Sequence, residues 1–187
     1  MSATETVSPT LTGNYTIDPS HSRVGFVARH AMVTKVRGSF NEFEGKGYFD
    51  AENPANSRAE LVVQAKSIDT RNADRDNHLR SNDFFDMDTY PEIRFVSTAV
   101  EPSGGETYRV TGDLTIKGTT KPVSFDLEFT GAARDPFGND RVGFEGSVVV
   151  NRKEWGVNWN APLEAGGVLV SEKVTLEFEV SAIKDAS

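Results

Sequence analysis

Apolar and polar residues alternate with period two along most of the chain. Val24, Phe26, Ala28 and His30 fall on one face, opposite Arg23, Gly25, Val27 and Arg29. Ile93, Phe95, Ser97 and Ala99 alternate against Arg94, Val96 and Thr98, and Tyr108, Val110, Gly112, Leu114 and Ile116 against Arg109, Thr111, Asp113 and Thr115. Val123, Phe125, Leu127 and Phe129, then Val174, Leu176, Phe178 and Val180, repeat the pattern. Side chains of a β-strand point alternately to opposite faces, so this is the signature of a sheet with one wet and one dry face. Turn residues separate the runs at 50–56, 102–105, 117–120 and 135–139, which predicts roughly eight strands between about residues 14 and 183. Parity changes between Phe40 and Phe43, predicting a bulge or bend within one long strand.

The fold class is therefore all-β. A sheet of roughly eight antiparallel strands with one apolar face must close into a barrel or fold into a sandwich. A barrel of that size either fills with its own side chains or holds one small ligand. The apolar face includes Ala28, Ala65, Ser97, Ala99, Gly112 and Gly146. Small residues there either leave a void or make room for bulky neighbours. The segment from Asp69 to Pro91 lacks alternation. Thr70 or Asn72 is positioned to cap a short helix, with Asp74 and Asp76 in its first turn and Arg80 later. Leu79, Phe84, Phe85 and Met87 give this insert an apolar side. It is expected as a flap over one mouth of the barrel or as a plug that closes its core.

Composition adjusts this picture slightly. Of 187 residues, 37% are hydrophobic and 26% charged, with 12 Phe against 4 Tyr and 2 Trp. Phe builds apolar wall without a polar atom to satisfy. The net charge of −8 disfavours nucleic acid and tight docking on anionic membranes. No run approaches the roughly 18 apolar residues of a membrane-spanning helix. Residues 1–13 carry no basic stretch followed by an apolar one. They are expected as a disordered tail ahead of one barrel domain over 14–187, and a cytoplasmic location follows as the expectation. The chain has no cysteine.

Candidate chemistry is sparse. His21 lies in the turn Asp18-Pro-Ser-His-Ser22 and is expected to bond locally. His78 sits in the insert and reads as solvated, while His30 occupies an apolar-face position that suits a buried, hydrogen-bonded ring or a ligand contact. No pair of histidines has metal-ligand spacing, and there is no nucleophile elbow, phosphate loop or dinucleotide fingerprint. No catalytic residue, metal or cofactor is expected.

Several fragments together resemble the YceI-like family, a lipocalin-like group of bacterial proteins. They are Ile17-Asp-Pro-Ser-His-Ser22 with Val24, Phe26 and His30; Val36-Arg-Gly-Ser-Phe40 with Phe43-Glu-Gly45; and Ile68-Asp-Thr-Arg-Asn72 with the stretch Arg75–Asp86. Tyr90-Pro91, Gly112-Asp-Leu-Thr-Ile-Lys-Gly118, Asn151-Arg152 and Trp155-Gly156 follow in the family's order. The resemblance implies an extended eight-stranded antiparallel barrel with a short helical insert near 70–90. It implies a lumen holding a polyisoprenoid chain, such as a quinone precursor or polyprenyl phosphate, and no established catalytic set. Some relatives look periplasmic. On that expectation the wall falls to Phe26, Phe40, Phe43, Ile93, Phe95, Leu114 and Ile116, with Leu79, Phe84, Phe85 and Trp155 near the insert or mouth. His30, Arg29 and Arg152 are weaker candidates for a head-group contact. Two alternatives stand beside the carrier: an enzyme acting on a small hydrophobic substrate within the barrel, using His30, and a filled interaction module, such as a homodimer.

Overall fold

In the computed structural model, which describes residues 9–31, 33–161, 163 and 169–186, the alternating runs form eleven segments of one antiparallel sheet. In chain order these are β1 (Gly13–Ile17), β2 (Arg23–His30), β3 (Thr34–Phe40), β4 (Phe43–Phe49), β5 (Arg58–Gln64) and β6 (Ile68–Asp69). After the helix α1 (Ala73–Arg80) come β7 (Glu92–Pro102), β8 (Thr107–Ile116), β9 (Thr119–Arg134), β10 (Asp140–Asn151) and β11 (Lys173–Lys184). Three pairs of segments behave as single kinked strands. β1 and β2 both pair with β11, β4 and β3 pair with β1 and β2, and β5 and β6 pair with β4 and β3. Each of the resulting eight strands is hydrogen-bonded to the next in sequence, and β11 returns to the first, so the sheet closes into a barrel.

The kinks have local causes. β3 ends on buried Phe40 and β4 begins on buried Phe43, with exposed Asn41 and Glu42 between them. Without the extra residue one ring would face solvent. Between β1 and β2, Asp18 accepts hydrogen bonds from Ser20 N (3.1 Å) and Ser20 Oγ (2.7 Å). His21 Nδ1 lies 2.8 Å from the same carboxylate, the local bonding expected of that turn. Arg141 then clasps the kink, donating to Asp18 (2.8 Å) and Asp135 (2.7 Å). The guanidinium holds Asp18 far below the usual carboxylate range and lowers Asp135 to about 2. On β7 a bulge between Ser97 and Ala99 corrects the expected face. Ala99 is exposed and Val100 turns inward instead.

The lower end of the barrel carries the turns at 50–57, 103–106 and 135–139, and a second core cluster of aromatic rings packs there. Phe49 meets Tyr108 and Phe144 edge-on at 5.7 Å, and Phe144 meets Phe129 at 5.5 Å. Tyr15 Oη donates to Leu11 O (2.7 Å), and Leu11, in a turn over Pro9–Leu11, packs on this cluster. The tail expected through residue 13 is therefore corrected for 9–13, while residues 1–8 lie outside the described residues.

The upper end carries the long insert. Asn72 Oδ1 accepts from Arg75 N (3.0 Å) and caps α1. Thr70 has a different role: its N–H and hydroxyl both donate to buried Asp76 (2.9 and 2.6 Å). Arg80 donates back to Lys66 O and Ile68 O, fixing the insert to the barrel rim.

Candidate functional site

Between the aromatic lower end, whose Phe49, Tyr108 and Phe144 form the floor, and the covered upper end lies a cavity of about 350 Å³, lined almost wholly by apolar atoms. Its origin is visible in how the rings pack. Phe26 lies over Gly38 on the neighbouring strand, Phe95 over Gly112, and Phe178 over Gly146. A Cβ at Gly38 would fall within the Phe26 ring, so glycine there lets the ring lie flat against the wall. On β4 and β5, Gly47 and Ala59 leave nearly bare backbone on the cavity wall, while Ile17 lies over Gly45. Val24, Phe26, Leu61, Phe95 and Leu176 point inward yet stay only partly buried, because one side of each looks into open space.

Two segments cover the mouth. From the insert come Leu79, Phe84 (4% exposed) and Phe85, whose ring meets Phe40 at 6.1 Å. From the turn after β10 come Arg152, Trp155 (3% exposed) and Val157. Trp155 Nε1 donates to Leu114 O (2.8 Å), and Gly156 ends the turn with φ of 80°. Lys117, in the hairpin between β8 and β9, donates to Asn82 O (3.3 Å) and Gly156 O (3.4 Å) and so ties the two parts together. His78 is not simply solvated. Its Nε2 lies 2.8 Å from Asp83, and its ring meets Phe84 at 5.0 Å and Trp159 at 4.5 Å.

Most of the expected wall residues converge. Phe26, Phe40, Leu79, Phe84, Phe85, Ile93, Phe95, Leu114, Ile116 and Trp155 all line the cavity. Phe43 packs in the surrounding core and does not line it. His30 and Arg29 require correction: both are exposed at the end of β2, off the cavity wall. There the strand has left the barrel interior, so parity no longer predicts burial. Arg29 Nη1 donates to Val33 O (3.1 Å).

Arg152 is the polar group of the site. It is 7% exposed and lines the cavity. Its hydrogen bonds run to three neutral carbonyls, Ser171 O (2.8 Å), Val157 O (2.6 Å) and Val170 O (3.3 Å). The guanidinium carbon lies 6.0 Å from the centre of the Phe84 ring. Burial lowers its pKa, opposed by the field of Glu172, which is itself paired with Lys153 at 3.0 Å. A cation buried beside neutral acceptors favours an anionic or strongly dipolar neighbour. Among the described residues no cluster of three or more His, Cys, Asp or Glu is arranged to hold a metal.

Comparison with known proteins fits this architecture. The YceI-like domain model matches residues 15–182. The chain belongs to the YceI-like family. Among its YceI-like relatives, a UPF0312 protein of Photorhabdus laumondii is 42% identical over 158 residues, covering 83% of this chain and 81% of the relative. A UPF0312 protein of Staphylococcus aureus is 40% identical over 170 residues, covering 90% and 95%. The crystal structure of BcnA from Burkholderia cenocepacia superposes with a TM-score of 0.79 at 27% identity, over 88% of this chain and 98% of that one. A polyisoprenoid binding domain from Saccharophagus degradans gives 0.69 at 14% identity, over 91% and 98%, a likeness of fold alone. The family motifs now have physical roles: Asn72, Arg75, Asp76 and Arg80 build and anchor the insert, and Asn151, Arg152, Trp155 and Gly156 build the other half of the cover.

Proposed function

We propose that this protein binds a long-chain isoprenoid lipid in the barrel interior and carries or stores it, without catalysing a reaction and without a cofactor. The observation that carries this reading is the apolar cavity along the barrel axis with a buried cation, Arg152, at its covered end. Burying a methylene is worth roughly 0.8 kcal/mol, so each isoprene unit contributes on the order of 3 kcal/mol before ordering costs. Affinity then comes from the tail and is nearly independent of polar contacts. Arg152 is the candidate contact for a phosphate or a quinone-precursor head, since guanidinium offers directed donors to either. The polyisoprenoid binding domain of Saccharophagus degradans shares this fold and supports the same class of cargo. The His30-based enzyme alternative loses its residue, because that side chain lies outside the cavity.

Native mass spectrometry of freshly purified protein, followed by solvent extraction, tests the proposal. A bound prenyl lipid, or one-to-one uptake of an added prenyl quinone with a raised melting temperature, is the expected result. A protein that emerges empty and ignores added prenyl quinones contradicts it.

A further inference from the structure

The barrel wall is split on one side. β9 and β10 pair from Arg134↔Asp140 only as far as Leu127↔Gly146. Beyond that point β9 continues to Thr119, laddered to β8, and β10 continues to Asn151, laddered to β11. The facing edges, 119–126 and 147–151, share no ladder with each other. Pro122 lies on that free edge, opposite Asp113 of β8. Proline has no N–H to offer a neighbour, which suits an edge that stays open. At the fork sits Gly146, where a Cβ would come 2.7 Å from Asp126 O and 2.8 Å from the Phe178 ring.

The split communicates with both sides of the wall. Phe125, Val148 and Phe178 line the cavity from within, and the same three residues border an outer groove with Ser124, Ser147 and Val149. Val149 is apolar yet 61% exposed beside the gap. At the top, Trp155 bounds the split by reaching from the end of β10 to Leu114 O on β8.

Among the described residues, the two ends of the cavity are held by packed rings and by buried polar bonds. At the lower end the rings of Phe49, Tyr108 and Phe144 floor the cavity, with Phe129 packed against Phe144. The upper cover is held by the carbonyl bonds of Arg152, the two bonds from Lys117 and the Trp155–Leu114 bond. Lifting it would strip buried polar groups of their partners. Parting the free edges of β9 and β10 breaks no ladder bond. A cavity of about 350 Å³ is also near the low end of ligand pockets, which run about 300–1,000 Å³. A long tail therefore needs either side-chain movement or an outlet.

We propose that the split between β9 and β10 is a lateral port through which the isoprenoid chain passes into and out of the barrel, while the upper cover stays closed. Arg23 and Arg109 also line the groove but are paired with Glu177 and Asp126, at 3.4 Å each, so Glu128, Glu145 and Glu179 leave it net negative and repel an anionic head. The port thus passes hydrocarbon, and the head is left to the Arg152 end. This inference rests on the carrier reading above.

The absence of cysteine gives a clean background for the test. A Ser124→Cys/Val149→Cys pair, opposite each other when the β9–β10 register is continued, is bridged by a short bis-methanethiosulfonate linker after loading with a prenyl benzoquinone. A His78→Cys/Trp159→Cys pair, whose native rings touch, is bridged in the same way to lock the cover. Transfer of the quinone to phosphatidylcholine vesicles is then timed. The port requires transfer to slow at least tenfold with the side bridge, to recover on adding dithiothreitol, and to change less than twofold with the cover bridge. The reverse pattern, or equal slowing by both, overturns it. Should the side pair fail to fold, Val149→Trp, an exposed substitution overhanging the gap, must slow transfer without lowering the amount bound. If neither protein loads quinone at all, the carrier reading falls and takes the port with it. If both load and only the side bridge is without effect, the port alone falls.

Discussion

The two ends of the barrel use the same residue type for opposite purposes. At the lower end, Phe49, Phe129 and Phe144 point across the axis and meet one another edge-on. Phe26 in the upper half, and Phe95 and Phe178 nearer the middle of the barrel, lie along the wall over Gly38, Gly112 and Gly146. What lets Phe26, Phe95 and Phe178 lie flat is a glycine directly beneath each ring, whereas the rings at the lower end pack on one another.

Substitutions that exchange the two roles break this contrast most severely. Phe129→Ala removes a 4% exposed ring that packs on Phe144 and does not line the cavity, and is expected to cost about 3–5 kcal/mol. At roughly 2–4 °C per kcal/mol for a chain of this size, thermal melting should fall by about 6–20 °C with lipid affinity retained. Phe26→Ala, whose ring already borders open space, should cost about 1–2 kcal/mol in the same denaturant titration. Equal losses at both sites would mean that the upper half is as tightly packed as the lower.

Arg152→Met sharpens the role of the mouth. It strands three carbonyls in a buried setting, an expected loss of about 1–3 kcal/mol. Binding assays should lose the preference for a phosphate-headed over a neutral prenyl lipid and keep the dependence on tail length. A smaller effect is expected for Gly38→Ala, which drives the Phe26 ring off the wall into the lumen. Long-chain affinity should weaken about tenfold, near 1.4 kcal/mol, with the fold intact by circular dichroism. If binding is untouched, the tail does not run past Phe26.

The smallest effect concerns pH and the Arg141 clasp. Asp18 and Asp135 have folded pKa values below the ordinary 3.8. Their contribution is complete above that value and is lost as pH falls through the folded values, near 2 for Asp135. Melting curves between pH 5 and about pH 2 should therefore slope down for the native chain and flatten for Arg141→Gln. Equal slopes would remove the clasp from the account.

Much of this was legible in the chain. The run Tyr108 to Ile116 alternates without interruption, and its even-numbered side chains are all buried. The parity break between Phe40 and Phe43 is the kink that joins β3 to β4. Failures came where a local event interrupts the count. A bulge after Ser97 turns Ala99 outward, and the end of β2 leaves His30 in solvent. Trp159 escaped notice because its segment has no period, and it touches His78 only through the fold. The split between β9 and β10 was invisible to alternation, because side chains keep their faces whether or not a neighbour is bonded. Pro122 was its one local sign.

The central claim, a hollow upper half that takes a prenyl chain, has a built-in reporter. Both tryptophans of the chain, Trp155 on the cavity wall and Trp159 packed beside it, lie in the cover. Titration with a prenyl benzoquinone, a fluorescence quencher, should quench their emission to saturation at one equivalent, in the native chain and in Phe129→Ala alike. Emission that stays constant through several equivalents, with the quinone recovered unbound, would contradict the account.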